Sequence, residues 1–297
     1  MEFIEAKTIV SNYSGNNRWF DINYNMNIYK GCCHGCIYCD SRSDCYDIQD
    51  FDSVRAKADS TRIIERELKS KQKKGVVGTG AMSDPYNPFE KKYELTRKAL
   101  ELVDKYNFGI SIATKSPLIV RDIDILKRIA SHSPVLIKIT ITTADDKLCR
   151  KIEQGVAPTS ERLKAIKALS DAGIYTGVLL MPVLPFINDT SENIKNVVRM
   201  SSEAGAKFVY GYGMGVTLRS NQRVHYYEKV NEIFKDRSIV KKYIAAYGNN
   251  YECPSGNYKE LWKDFTTSCG ENKVFYKMGD IISDYRRNYI EEQMSFF

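Results

Sequence analysis

No stretch of this 297-residue chain approaches the roughly 20 consecutive apolar residues that a membrane-spanning helix needs. The first ten residues, MEFIEAKTIV, lack the basic start and the apolar run of a secretory signal, so we expect no signal peptide. Pro/Gly/Ser-rich linkers, internal repeats and low-complexity segments are also missing. These absences predict a cytoplasmic protein without a membrane partner, in which thiols stay reduced. Clustered cysteines in such a protein indicate metal binding or catalysis rather than disulfides.

The composition allows a folded enzyme and leaves the class of partner open. Hydrophobic residues make up 43% of the chain, enough to bury a sizeable core, and the formal net charge is +7. Positive charge suits a polyanionic partner such as nucleic acid. A mild excess of lysine is also common in soluble enzymes, so the charge alone does not decide the partner.

Short apolar runs alternate with amphipathic helical patterns over roughly the first three quarters of the chain. Each run is continuous instead of alternating with polar residues, which is typical of parallel strands covered on both faces. Six β-α units in series predict an α/β fold, a partial (β/α)6 TIM-like barrel, and a doubly wound open sheet is the alternative. The predicted strands are residues 21–29, 75–80, 108–114, 134–142, 173–182 and 207–213, and the predicted helices are Ser60–Lys71, Lys92–Lys105, Ile123–Ala130, Ser160–Ala172 and Ser191–Ala204.

The sequence changes character after residue 225, where it becomes charged, rich in tyrosine and helical in pattern. Residues 224–248 form one helical region, and further helices are predicted over Tyr258–Thr267 and Gly279–Glu292. We therefore predict a barrel domain over residues 1–225 and a C-terminal helical extension over residues 226–297.

Five of the eight cysteines lie in one short segment, YKGCCHGCIYCDSRSDCY. A structural zinc site often has four ligands in two close pairs, and only Cys36 and Cys39 form such a pair. An iron–sulfur cluster also needs thiolates at short spacing, and two registers exist. In the first, Cys33 begins a ferredoxin-like run, but Ser43 stands where the fourth cysteine belongs. In the second, Cys32 replaces Cys33 and only three thiolates bind, which leaves one iron open for chemistry.

The second register, Cys32-x3-Cys36-x2-Cys39 with Tyr38 before the last cysteine, resembles the signature of the radical S-adenosylmethionine (SAM) enzymes. The resemblance implies a [4Fe–4S] cluster and SAM as cofactors, with the three cysteines as metal ligands and Tyr38 beside SAM. In that family SAM binds the open iron, and an electron from the cluster splits it to give a 5′-deoxyadenosyl radical. A reductant such as flavodoxin or ferredoxin is therefore an implied partner.

Three longer segments resemble the radical SAM subfamily related to spore photoproduct lyase, often described as DNA repair photolyases. They are GTGAMSDPYNPFEKKYELTRKALELV, ITTADDKLCRKIEQGVAPTSERLKAI and AGIYTGVLLMPVLPFIND. The resemblance covers roughly residues 20–220 and implies a lyase-like enzyme that acts on nucleic acid. Two positions depart from it. Ala81 stands where the subfamily has the cysteine that returns a hydrogen atom to the substrate, and Asp40 replaces a tyrosine after the third cluster cysteine.

The same resemblance implies SAM-binding residues at the carboxyl ends of the strands, where β/α barrels have their active sites. Each residue type also has an ordinary structural explanation. Glycines suit a tight turn, a serine followed by an aspartate suits a helix cap, a lysine is usually exposed to solvent, and threonines favour strands. Glu153 and Arg162, which would support the site, would equally suit surface roles. The set is Gly78, Thr79, Gly80, Ser83, Asp84, Lys115, Thr140, Thr142 and Met181, supported by Glu153 and Arg162.

Cysteines outside the cluster register have no paired spacing, so we expect buried, inert thiols. They are Cys45, Cys149, Cys253 and Cys269. One of them would have to serve as hydrogen-atom donor if the reaction needs the thiol that Ala81 lacks.

Two further functions stay open on the sequence. Radical modification of a peptide or a small molecule is one of them, because a single scaffold carries many chemistries. A non-catalytic Fe–S electron-transfer protein is the other, and it would need a fourth cysteine near Ser43.

The final five residues resemble the Q-L-x-L-F peptide by which bacterial DNA replication and repair proteins bind the sliding clamp. They are Gln293, Met294, Ser295, Phe296 and Phe297. The resemblance predicts a sliding clamp as a partner, through a glutamine that donates hydrogen bonds and two apolar side chains that fill a pocket. The alternative is that both phenylalanines pack on the barrel of their own chain.

Overall fold

The computed structural model describes residues 1–15 and 19–289 of the chain. Its helices and strands are numbered here in chain order. The strands are β1 (Glu2–Ile4), β2 (Val10–Asn12), β3 (Tyr24–Met26), β4 (Tyr29–Lys30), β5 (Arg55–Lys57), β6 (Val76–Thr79), β7 (Gly109–Thr114), β8 (Val135–Thr140), β9 (Thr176–Leu180), β10 (Phe208–Gly211), β11 (Gly215–Thr217) and β12 (Glu252–Pro254). The α-helices are α1 (Ser60–Ser70), α2 (Glu90–Tyr93), α3 (Leu95–Lys105), α4 (Ile123–Ala130), α5 (Asp146–Ile152), α6 (Thr159–Asp171), α7 (Ser191–Glu203), α8 (Ser220–Phe234), α9 (Arg237–Tyr247), α10 (Tyr258–Glu271) and α11 (Met278–Arg286).

A seven-stranded sheet forms the centre of the fold, in the order β10-β9-β8-β7-β6-β3-β2. Six of its strands pair in parallel, and β2 joins the edge antiparallel to β3. The parallel strands follow one another in chain order, so the winding never reverses as it does in a doubly wound sheet. Six singly wound β-α units are the topology of a partial barrel. The predicted α/β fold is therefore confirmed, and the doubly wound alternative is wrong.

Alternate residues along the strands face opposite sides of the sheet, as the pleat requires. On the helix side, isoleucines of β7 and β8 belong to the largest apolar cluster; these are Ile110, Ile112, Ile137 and Ile139. On the inner side, Leu136 and Leu179 pack with Phe20 and with Ile281 of α11. The inner face of the sheet is thus covered in part by the C-terminal region.

The structure divides two of the predicted helical stretches. Glu94 has a left-handed backbone (φ 52°) and separates α2 from α3, within the predicted helix Lys92–Lys105. Lys235, also at φ 52°, separates α8 from α9. A single residue of positive φ leaves the apolar periodicity on either side unchanged, which is why the sequence pattern did not reveal it. The short strands β1, β2, β5, β11 and β12 were missed because three residues carry no periodic signal, and the predicted strand 21–29 divides into β3 and the start of β4.

The C-terminal helices pack directly on the barrel in the described residues. α10 lies against α7, where Lys195 Nζ is 3.0 Å from an Asp264 carboxylate oxygen. Residue 225 falls inside α8, and the division into domains 1–225 and 226–297 stays a prediction. The tail proposed to bind a sliding clamp, residues 293–297, lies outside the described residues. None of the helices in the described part of the chain is long and apolar enough to cross a membrane.

Candidate functional site

The cysteine-rich segment forms a loop after β4 that is fixed against the turn after α5. The Ile37 amide donates to the Ile152 carbonyl oxygen at 3.1 Å, and the Gly155 amide donates to the His34 carbonyl oxygen at 2.8 Å. Gly155 approaches so closely that an added Cβ would lie 2.6 Å from the Cys33 carbonyl oxygen. Backbone hydrogen bonds and close packing against residues 152–155 therefore fix the loop that carries the thiols.

The thiols of Cys32, Cys36 and Cys39 influence one another electrostatically. Burial raises the pKa of the Cys36 thiol, and negative charge on Cys39 and Cys32 raises it further. Burial also raises the pKa of Cys32 to about 12, with a contribution from Cys39. Cys33 has other neighbours, since it packs against the large apolar core and borders a surface groove beside Asp52. The three thiols of the Cys32 register are thus electrostatically coupled, whereas Cys33 has other neighbours, and ligation by the three stays a prediction.

These residues fit an iron–sulfur cluster better than a single metal ion. All three thiols are free, and among residues 1–15 and 19–289 no three His, Cys, Asp or Glu side chains converge closely enough to hold one ion. Cluster thiolates bind different irons, so they need not converge on one point. Ser83 adds a second observation, because its buried hydroxyl has no hydrogen-bond partner among the described residues. A buried hydroxyl of this kind calls for a bound group that satisfies it.

A buried ion pair lies behind the cysteine loop and holds Tyr38. Glu153 and Arg162 both have fully buried side chains, with 2.6 Å between carboxylate and guanidinium, and the Tyr38 hydroxyl donates to the same carboxylate. Burial raises the pKa of Glu153, but Arg162 and then Lys115 outweigh it and hold this pKa below its usual value. The carboxylate therefore stays ionised, and surface roles for Glu153 and Arg162 are wrong.

Lys115 places a positive charge beside the cysteine loop. Its ammonium lies 5.7 Å from the centre of the Tyr38 ring and borders a cavity of about 440 Å³. Burial lowers the pKa of Lys115, but negative charge, first on Cys36 when it is ionised and then on the Glu153 carboxylate, raises it to a net value above the usual one. A charged, partly enclosed ammonium at this place is suited to an anionic group such as a carboxylate. Contact with SAM stays a prediction.

Asp84 ties the turn after β6 to the end of β7. One carboxylate oxygen accepts from the Thr114 hydroxyl at 2.6 Å and from the Tyr86 amide at 2.8 Å, and the other accepts from the Lys115 amide at 2.7 Å. The second oxygen also lies 3.4 Å from His34 Nδ1. Asp84 therefore positions Lys115 and His34, and it does not cap the next helix, whose N-cap is Phe89.

The glycines that end β6 have packing reasons of their own. Gly80 has φ +93°, and an added Cβ would lie 1.9 Å from the Ala113 carbonyl oxygen, so only glycine fits. An added Cβ at Gly78 would lie 2.8 Å from Ile22 Cδ1. Thr79, between them, is buried. Close strand packing explains this segment without a ligand, and its predicted contact with SAM is untested.

The remaining predicted residues lie at the ends of β8 and β9. Thr140 and Thr142 are both buried, and their carbonyl oxygens accept hydrogen bonds from Arg162 at 2.9 Å and from Asn188 at 2.8 Å. Met181 is half-buried against the inner-face apolar cluster. The predicted SAM-binding set thus lies at the carboxyl ends of four neighbouring strands, β6 to β9, as expected for a barrel.

The sequence reasoning overlooked Lys138, which lies on the inner side of β8. Its ammonium donates to the Ser111 hydroxyl at 2.7 Å and lies 4.7 Å from the centre of the Phe20 ring. Burial lowers the pKa of Lys138 to about 7. A signal was present, because this lysine interrupts the apolar run PVLIKITIT.

A second overlooked group surrounds Asp40, which replaces the expected tyrosine. Its carboxylate accepts from the Tyr46 hydroxyl at 2.9 Å and from Arg219 Nε at 3.0 Å. The phenol of Tyr46 therefore lies close to residue 40, where the resemblance implies a tyrosine. No sequence signal links Asp40 to Arg219, because they are 179 positions apart.

The position of the missing thiol is exposed. Ala81 is open to solvent, and its carbonyl oxygen accepts from the Ser41 hydroxyl at 3.5 Å. Three of the other cysteines are buried, as expected; they are Cys149, Cys253 and Cys269. The expectation is wrong for Cys45, which lies in an exposed 3-10 turn.

Solved structures of known proteins include some with a similar fold. Spore photoproduct lyase complexed with dinucleoside spore photoproduct has a similar structure, with a TM-score of 0.67 at 13% identity over 93% of this chain and 82% of that one. A radical S-adenosylmethionine methyltransferase from Kitasatospora setae, with tryptophan and a SAM analogue bound, has a TM-score of 0.54 at 12% identity over 82% of this chain and 51% of that one. At these identities the likeness concerns the fold.

Similar sequences include an uncharacterized protein of Mycobacterium tuberculosis, 30% identical over 198 residues, 64% of this chain. The match spans 58% of that relative's length. An uncharacterized protein of Methanocaldococcus jannaschii is 29% identical over 229 residues, 74% of this chain and 83% of the relative. The sequence profile of the radical SAM superfamily matches residues 26–213, more than half of the chain. The protein therefore belongs to the radical SAM superfamily, whose enzymes use a [4Fe–4S] cluster and SAM.

Proposed function

We propose that this protein is a lyase-like radical SAM enzyme that acts on nucleic acid. When bound, the cluster and SAM supply a 5′-deoxyadenosyl radical that abstracts hydrogen from a substrate. The observation that carries the proposal is geometric: the loop that holds Cys32, Cys36 and Cys39 also carries Tyr38, whose ring centre lies 5.7 Å from the Lys115 ammonium. The thiolates would hold the cluster, and the ammonium would hold an anionic group beside it.

The nucleic-acid part of the proposal has separate support. The net charge of +7 favours a polyanionic partner. The fold is similar to that of spore photoproduct lyase, which has been solved with a dinucleoside bound. Lysine and arginine would supply the contacts to phosphate that dominate nucleic-acid affinity.

We expect the anaerobically reconstituted protein, reduced with dithionite, to convert SAM to 5′-deoxyadenosine, measured by liquid chromatography and mass spectrometry. Cys36→Ala, prepared in the same way, is the control and should give none, because a thiolate ligand is missing. A filled cluster that never yields 5′-deoxyadenosine would refute the enzyme assignment and favour an electron carrier. Added substrates then separate the classes: damaged DNA or RNA should give new products, and products from peptides alone would overturn the nucleic-acid part.

A dinucleotide spore photoproduct should not be repaired efficiently by the wild-type protein. Ala81 has no thiol to return a hydrogen atom. Conversion to the repaired dinucleotide, followed by chromatography, measures this. Ala81→Cys places a thiol at an exposed position that tolerates it, and we expect this variant to give more repaired product. Clean turnover by the wild type would contradict the prediction.

A further inference from the structure

Exposed aromatic side chains line one groove at the last strand of the sheet. This aromatic groove, with a volume of about 810 Å³, lies between the segment after β10, helix α10 and the start of α11. Tyr212 is 65% exposed, Tyr258 46% and Trp262 39%. Single exposed aromatic side chains are common on protein surfaces, whereas three on one concave surface indicate a binding site.

The aromatic groove is continuous with the inner side of the barrel. Tyr210, which lines it, has its ring centre 5.3 Å from that of Phe20 and 5.6 Å from that of Trp19. All three belong to the apolar cluster that contains Met181, at the end of the neighbouring strand β9. β10 is an edge strand of the open sheet, so the groove lies beside the carboxyl end of β9, where Met181 was predicted to bind SAM.

The charge of the aromatic groove favours an anionic occupant. Lys277 is among its lining residues, and no Asp or Glu side chain of the described residues is. The whole chain carries a net charge of +7. Aromatic platforms combined with positive charge are the general means by which proteins hold unpaired nucleic-acid strands, because every base has a face that stacks.

We propose that the aromatic groove binds an unpaired nucleic-acid strand beside the reaction site, with bases stacked on Tyr212, Tyr258 and Trp262. This inference rests on the proposed nucleic-acid function and specifies its substrate as single-stranded or locally opened. An enzyme that attacks a base needs that base outside the helical stack, and a stacking groove at the edge of the barrel would hold the strand in that state.

The test uses the full chain with its cluster reconstituted and a fluorescently labelled 12-nucleotide single strand of mixed sequence. Fluorescence anisotropy under anaerobic conditions gives the dissociation constant. Tyr212→Ala should weaken binding between about five-fold and 150-fold, the range for loss of one stacked base. Tyr212→Phe should bind almost as well as the wild type, whereas Tyr212→Leu should bind as weakly as Tyr212→Ala, because leucine is apolar but does not stack.

Phe3→Ala is the matched control, since Phe3 is 48% exposed and lies on β1, outside the groove. It should leave binding unchanged, and it should still form 5′-deoxyadenosine from SAM. Equal binding by the wild type and Tyr212→Ala would overturn the groove inference and leave the nucleic-acid function standing. A labelled proline-rich peptide, which aromatic grooves also accept, gives the other decisive result. If it binds through Tyr212 and the single strand does not, the groove inference is overturned, and product formation decides the proposed function separately.

Discussion

Cys32→Ala should abolish cluster assembly, and Cys33→Ala should leave it intact. After anaerobic reconstitution, Cys33→Ala is expected to hold about four irons per chain and to show the broad absorption near ~400 nm of an iron–sulfur protein, while Cys32→Ala should lose most of both. The reason is position: negative charge on Cys39 acts on the Cys32 thiol, whereas the Cys33 side chain packs against the main core. Iron analysis and absorption spectra measure the effect.

The adjacent cysteine is its own control, because both variants alter the same loop by the same chemical change. A folded Cys33→Ala protein confirmed by circular dichroism shows that the loop tolerates the loss of a thiol. Iron retained by Cys32→Ala and lost from Cys33→Ala would contradict the three-cysteine register and, with it, the assignment of these metal ligands.

Glu153→Ala should be strongly destabilising, by about 3–5 kcal/mol, the usual cost of removing one partner of a buried ion pair. It leaves the Arg162 guanidinium fully buried beside no carboxylate and frees the Tyr38 hydroxyl behind the cysteine loop. The free energy of unfolding is measured by urea denaturation of the cofactor-free protein, because proteins with bound cofactors do not unfold in a two-state transition.

Two further variants sharpen this prediction. Glu153→Leu combined with Arg162→Met removes both charges and should recover part of the lost stability, since an apolar pair of similar volume is often tolerated. Lys167→Ala breaks an exposed ion pair with Asp171 and should have little effect. A Glu153→Ala protein as stable as Lys167→Ala would show that the buried pair does not hold this part of the fold.

The fold class was predictable because its signals are local. A continuous apolar run of five or six residues is enough to indicate a covered strand, and its repetition with amphipathic helices indicates six β-α units. The strand order followed, since successive β-α units with right-handed crossovers normally lie side by side. The breaks at Glu94 and Lys235 were not predictable, because positive φ at these residues depends on how the flanking helices pack.

Positions of site residues were predictable only where the chain places them at a strand end. Lys115 follows β7 directly and Thr140 is the last residue of β8, so the edge on which they lie is set by the topology. The partners of these residues were not predictable. Asp84 holds the Lys115 amide across 31 positions, and Tyr38 reaches Glu153 across 115.

The sequence by itself determined the cysteine signature of the candidate site and the class of fold that carries it. Cysteine spacing within one loop and the periodicity of strands and helices are short-range properties, which the order of residues expresses directly. Only the tertiary structure decided that Arg219 contacts Asp40 and that Tyr212 and Trp262 line one groove. The physical reason is that such contacts arise when distant elements pack together to bury apolar surface, and packing geometry leaves no periodic trace in the sequence.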